Sequence, residues 1–328
     1  MANTLLVNLR QFPTGAAGLA LGLISSGSLL QLYGVQQSLT LLLACPIMLL
    51  LLTKLSCNLK LLWSEIQHPL LGSVLPTLCM SAMLLSVQLP KPLLGSIIWY
   101  SAVTLHLLLL CAFIYRQSGN FSLEKMLPSW FIPPVGLAVA ALTYPDTQSF
   151  AVAEILLNFA IGSYFLLLPI ILYRLILLPP LADNAKPSLA ILAAPPNLCL
   201  AAYLSTAQQP SLILVFTLLS LGVLMTALVY LALIKLLTLK FTPAFAAFTF
   251  PLVIGATAMT KASRFFAEQG IEQSIVSTLQ YLAHFELVIA LVIVAYVLSR
   301  YVMFYAKLPK FLRLKQQTGA QPWAYKKS

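Results

Sequence analysis

The chain has 328 residues, 60% of them hydrophobic and 8% charged, with a mean hydropathy of +0.93. A soluble domain carries roughly 25% charged residues, so the composition excludes a sizeable one and points to an integral membrane protein. The formal charge of +11 would suit a nucleic-acid binder, but its distribution, given below, argues against nucleic acid as a partner.

A helix that crosses a bilayer needs about 20 apolar residues. Ten segments qualify in chain order: 13–34, 37–56, 70–89, 93–114, 129–145, 149–173, 188–206, 210–234, 242–262 and 275–301. The first follows Arg10 and is too long, with no small-residue cleavage site after it, for a secretory signal; it reads as the first span. Short connections make neighbouring segments antiparallel hairpins. The expected fold class is all-α and integral to the membrane, with ten transmembrane helices as five helical hairpins in a quasi-five-fold ring around a central pore. That domain covers residues 1–306, and a basic cytoplasmic tail covers 307–328.

Basic residues orient the chain, because Lys and Arg concentrate in cytoplasmic loops. With the N-terminus inside, only Lys91, Lys261 and Arg264 of the 19 Lys and Arg fall on the outer side. Both termini are then cytoplasmic, as expected of a multi-pass protein of the cell (inner) membrane. The tail reads as a topology anchor and a contact for anionic membrane lipids.

The segments alternate in character. Odd-numbered ones are richer in Pro, Gly, Ala, Ser and Thr, which allow close packing; of the even ones the fourth, eighth and tenth are long, continuous and rich in Leu, Ile and Val. Four odd segments carry paired prolines: Pro69/Pro76, Pro128/Pro134, Pro187/Pro196 and Pro243/Pro251. The inner members recur every 55 to 62 residues, and one more step back lands near Gly18. A fixed period of this kind marks a repeated unit. Each unit reads as a broken helix followed by an unbroken one. Freed backbone groups persist in a bilayer only beside protein or a water-filled cavity. Five broken helices therefore predict five walls of one passage. Pro76, Pro134, Pro196 and Pro251 are expected to line it, with Thr14, Gly15, Gly18, Thr77, Asn197, Thr249 and Thr257.

On a helical wheel, Phe241, Phe245 and Phe248 share one stripe, and Phe250 lies opposite with Ala246, Thr257, Lys261 and Arg264. The last two read as a positive mouth that collects anions, or as snorkelling interface residues. Glu154, Glu286 and His106 sit on even segments, outside the expected pore. His68 reads as a helix-end contact. The five cysteines stand singly and read as packing residues. Eight acidic residues and three His, with no catalytic or metal-binding pattern, argue against an enzyme, a metal site or a cofactor.

Phe12-Pro13-Thr14-Gly15 with Gly18 and Gly22, His68-Pro69 ahead of Leu75-Pro76-Thr77, the run Ala193 to Leu204, and Ala247-Phe248-Thr249-Phe250-Pro251-Leu252 resemble the tellurite-resistance/dicarboxylate transporter family. That family includes bacterial tellurite-resistance proteins, fungal malate and sulfite transporters and plant guard-cell slow anion channels. The resemblance covers about residues 10–305. It implies a homotrimer with one pore per protomer, small inorganic or organic anions as substrates, and a gate formed by a phenylalanine of the ninth segment, here Phe250. One departure is Phe245-Ala246-Ala247, where relatives often carry Trp. Within transport, a proton-coupled carrier of malate-like dicarboxylates or of sulfite or tellurite is the alternative to a channel.

Overall fold

The computed structural model describes residue 10 and residues 12–119, 121–145 and 151–318, with side chains as far as Ala306. Its helices are α1 (Ala16–Gln31), α2 (Ser38–Ser56), α3 (Leu59–Gln67), α4 (Pro69–Val74), α5 (Pro76–Ser86), α6 (Pro92–Ser118), α7 (Ile132–Val135), α8 (Leu137–Leu142), α9 (Ala151–Leu177), α10 (Ala194–Thr206), α11 (Leu212–Leu236), α12 (Thr249–Glu268) and α13 (Gln273–Thr318). Tighter 3-10 turns cover Leu123–Lys125, Pro128–Phe131, Lys186–Ala193 and Pro243–Phe248. No strand occurs among the described residues.

Among the described residues, eight helical segments are long and apolar enough to cross a membrane. The other two expected spans are shorter. Helix α1 has 16 residues, and the fifth segment divides into a 3-10 turn, α7 and α8. The expected boundary at 306/307 falls within α13, whose backbone stays helical to Thr318. Residues 319–328 of the expected tail lie outside the described residues, as do its side chains from Lys307.

Burial separates the segments into two sets. The Pro243–Glu268 span is 83% buried within the protein, Lys186–Thr206 78% and Pro69–Ser86 67%, against 22% for Ser38–Ser56 and 28% for Ala151–Leu177. The buried set is the odd one. Its members pack in sequence around a closed circuit, α1 on α5, α5 on α8, α8 on α10, α10 on α12 and α12 back on α1. Each outer helix packs on the inner partner of its own hairpin. Apolar side chains on the outer helices face outward, Leu42, Leu108, Ile176 and Ile213 among them.

The inner prolines do not kink continuous α-helices. They sit in the first turn of a new one: Pro76 opens α5, Pro134 is the third residue of α7, Pro196 the third of α10 and Pro251 the third of α12. There the missing N–H has no helical acceptor to lose. In the fifth, seventh and ninth segments a 3-10 turn precedes the proline-bearing helix, so the break is a change of winding. In the third, α4 ends at Val74 and α5 begins at Pro76. His68 caps α4: its Nδ1 accepts from the Leu70 and Leu71 N–H groups at 3.2 and 3.3 Å.

Candidate functional site

A cavity of about 630 Å³ lies inside the circuit of inner segments. Its wall uses only their first halves: Phe12 to Leu21, Leu70 to Met80, Phe131 to Gly136, Asn184 to Leu198 and Phe241 to Pro251. The five segments therefore run in the same direction past it. One end holds Arg10, Lys54 and Glu65, with Phe304 and Tyr305 from the second half of α13. The lining residues farthest along the five segments are Leu21, Met80, Gly136, Leu198 and Pro251, with Phe250 just before the last. Helices α1, α5, α10 and α12 begin at this wall, at Ala16, Pro76, Ala194 and Thr249, beside lining residues Gly15, Thr77, Pro195 and Phe250. The last three continue from α4 or from a 3-10 turn and carry prolines in their first turn, so few free N–H groups face the cavity.

Phe250 is 6% exposed and is the last residue of the wall but one on α12. The other aromatic stripe packs elsewhere. The Phe245 and Phe248 rings stand 4.9 Å apart, and Phe241 meets Tyr301 and Phe304 of α13 at 5.4 and 5.5 Å.

Of the other expected pore residues, Thr14, Gly15, Gly18, Thr77 and Pro251 line the cavity. Pro76, Pro134 and Pro196 do not; their neighbours Thr77, Val135 and Pro195 do. Asn197 points away. Its amide nitrogen donates to the Ala193 carbonyl at 2.8 Å and to Thr226 of α11 at 3.0 Å. The reason is phase: the α-helix starts at Ala194, which turns Ala194, Pro195 and Leu198 inward and Asn197 toward α11. Thr249 is buried against α1, donating to Gly18 O at 3.0 Å and to Ala246 O at 2.8 Å. Thr257 bonds back to Val253 O at 2.9 Å, two turns beyond the cavity.

Lys261 and Arg264 stand at the opposite end of α12. Lys261 donates to Ser205 Oγ at 2.8 Å and Arg264 to the Leu32 carbonyl at 2.6 Å, tying α12 to the ends of α10 and α1. Glu154, Glu286 and His106 do not line this cavity. His106 Nε2 donates to the Pro133 carbonyl at 2.8 Å, bracing the broken fifth segment from α6. Glu286 on α13 approaches Gly255, near Asn197 and Thr226.

Two buried charged residues of the cavity escaped the sequence reading of the pore. Lys54, counted there only as a cytoplasmic charge, turns inward from α2 and pairs with Glu65 of α3 at 2.7 Å; their side chains are 2% and 9% exposed. Lys54 Nζ also donates to Thr14 Oγ1 at 2.7 Å, and Thr14 Oγ1 donates to the second Glu65 oxygen at 2.7 Å. The three side chains close a ring. The signal available in the sequence was the scarcity of acids: Glu65 stands between apolar segments with Lys54 and Lys60 nearby.

These placements revise which positions should meet water. Cys79 and Cys199, both buried, must first be replaced. A cysteine at Thr77 should then react with a small charged thiol reagent, and one at Asn197 should not, because a thiolate forms where water reaches. Equal labelling of both would contradict the outward turn of Asn197.

A family model described as SLAC1, voltage-dependent anion channel, matches residues 11–302. Two curated relatives from Methanocaldococcus jannaschii, each named an uncharacterized transporter, are 28% identical over 216 residues, which is 58% of this chain. The match spans 63% of one relative and 62% of the other, just under two thirds of their length. Because the family model covers nearly all of the apolar chain, this protein belongs to the SLAC1 family of voltage-dependent anion channels.

Proposed function

We propose that this chain passes small anions across a membrane through the cavity, with Phe250 closing its deep end. The observation that carries the reading is the cavity itself, walled by the first halves of five parallel segments and ending at an aromatic ring. Its charged lining residues are Arg10, Lys54 and Glu65, two basic and one acidic, which leaves the lining net positive. An apolar ring in a narrow passage excludes the water that an ion must carry, and its displacement opens the path. All ten segments cross the membrane in this reading, the two shorter ones included, because they complete the inner circuit. Both termini lie in the cytoplasm of a cell-membrane protein, so the cavity opens inward. The basic tail meets anionic lipid there. Three copies assemble, each with its own pore, as the family resemblance implies.

A passive path is favoured over a proton-coupled carrier. Coupled carriers place ionisable groups at a midplane site, whereas Lys54 and Glu65 sit at the mouth of this cavity and Phe250 and Pro251 at its depth. The test is purified protein in liposomes, with chloride, nitrate, sulfite, malate and tellurite supplied in turn. Electrogenic flux of at least one anion is expected. No flux of any of them, with or without a proton gradient, would overturn the reading.

Lys261 and Arg264 then serve the outer mouth. Changing both to Gln should lower anion entry from that side at low ionic strength. The deficit should shrink above about 0.15 M salt, where the Debye length is about 8 Å. A deficit that ignores salt would leave them as the helix ties described above.

A further inference from the structure

The ring of Thr14, Lys54 and Glu65 is a buried ion pair built into the cavity wall. Stability does not account for it. Desolvating two charges is expensive, and apolar residues of similar volume often serve as well or better. A lysine at a helix end beside lipid would ordinarily extend its ammonium toward water; Lys54 instead turns into the cavity. Arg10 lines the same end, and its Nε donates to Asn58 Oδ1 at 2.6 Å, while Asn58 Nδ2 holds the Lys54 carbonyl at 2.9 Å. The mouth therefore carries two cations and one carboxylate.

The detail that matters is how Glu65 is held. One carboxylate oxygen accepts from the Lys54 ammonium and the other from the Thr14 hydroxyl. That is how a mobile anion with two oxygens on one face would be bound. We propose that Lys54 and Thr14 form an anion-binding site at the mouth of the cavity, and that the Glu65 carboxylate is its tethered occupant, displaced when a carboxylate or a planar oxyanion enters. This inference rests on the pathway reading above and adds a site to it. Glu65 comes from the nine-residue helix α3, between the inward end of α2 and the start of α4, so the tether is local to the mouth. Chloride is a single atom and cannot place separate acceptors on the Thr14 hydroxyl and the ammonium, so nitrate and acetate should bind better than chloride.

The experiment is thermal unfolding of the purified full chain in detergent. Nitrate, acetate and chloride are titrated in turn, at an ionic strength held constant with a bulky sulfonate. Glu65→Gln keeps the side chain's size but removes its competing negative charge. Its melting temperature should rise with nitrate and acetate and respond less to chloride. The half-effective nitrate concentration should be at least about tenfold lower than for the wild type, where a tethered competitor acts at an effective concentration of millimolar or more. Glu65→Asp, with its carboxylate withdrawn by one methylene, should fall between the two. The double variant Lys54→Gln/Glu65→Gln should lose the response. Equal nitrate responses in wild type, Glu65→Gln and Glu65→Asp would overturn the site. So would a response that survives loss of Lys54, or a Glu65→Gln protein that no anion rescues, because a free anion should replace the missing carboxylate. Flux through the wild type and Phe250→Ala in liposomes tests the pathway separately. Absent flux with an intact thermal response would sink the pathway and leave the site.

Discussion

Replacing Phe250 by Ala should raise anion flux in liposomes at least tenfold, the factor given by a barrier lowered by about 1.4 kcal/mol. The ring lines the cavity near the last residue of its wall on α12, so in the proposed pathway truncation widens the passage there. The expected cost in stability is smaller than for a core phenylalanine. Truncating a fully packed ring costs about 3–5 kcal/mol, part of it for the void left behind, but one side of Phe250 already borders a void. Phe248 is the control. It is fully buried two residues earlier on the opposite face, with its ring 4.9 Å from that of Phe245. Phe248→Ala should lose the full amount and gain no flux. Phe250→Leu should conduct between wild type and Ala, since it keeps an apolar plug of smaller size. Early melting of Phe250→Ala without any gain in flux would make Phe250 an ordinary packing residue.

The reason the five-part architecture is legible in the sequence is that its signal is periodic. A spacing of 55 to 62 residues between Pro76, Pro134, Pro196 and Pro251 survives any error in a single segment. Alternation in composition likewise foretold which segments are buried, because small residues are needed where helices pack on both sides. Local winding was not legible. A proline pair reads equally as a kinked α-helix or as a 3-10 turn leading into a fresh one, and the structure has the turn in three segments. That difference resets the helical phase. A wheel drawn through the whole seventh segment gives Asn197 no fixed face; a helix that begins at Ala194 turns it toward Thr226. The partner of Thr249 was not legible either, since it is the backbone of α1, over two hundred residues away. The Lys54–Glu65 ring left only the scarcity of acids as a signal, which marks Glu65 but not where Lys54 points. Counting charges per side places a lysine at one end of the chain's passage through the bilayer, but whether its ammonium points to lipid or to the interior depends on what α1 and α3 set beside it.

Gly22→Ala should be among the most damaging single changes to the inner circuit, although it adds one methyl group. A Cβ built at Gly22 would lie 2.4 Å from Thr249 Oγ1, 2.5 Å from Thr249 Cβ and 3.2 Å from the Phe250 nitrogen. None of these atoms is the far end of a flexible side chain. Thr249 is branched, opens α12 and is held by its bonds to Gly18 and Ala246. Relief therefore requires α1 and α12 to separate. Gly15 and Gly18 resist that separation on the same stripe, where added Cβ atoms would stand 3.0 Å from the Pro243 carbonyl oxygen and 3.3 Å from Ala246 Cβ. Small residues let membrane helices approach this closely, and overpacking such a contact costs typically 1–3 kcal/mol. Thermal unfolding should report that loss for Gly22→Ala and a larger one for Gly22→Val. The effect should reach Phe250 as well, because the spacing of α1 and α12 positions the backbone from which the ring projects. A Gly22→Ala protein that still assembles should thus show altered anion flux with no pore residue changed. Thr249→Gly removes the opposing Cβ and should recover much of the lost stability in the double variant, giving a coupling energy of about 0.5–3 kcal/mol of the kind that contacting residues show. Strict additivity of the two changes would mean that α1 and α12 are not in contact at Gly22, and the inner circuit would then be open at the point where its ends are joined.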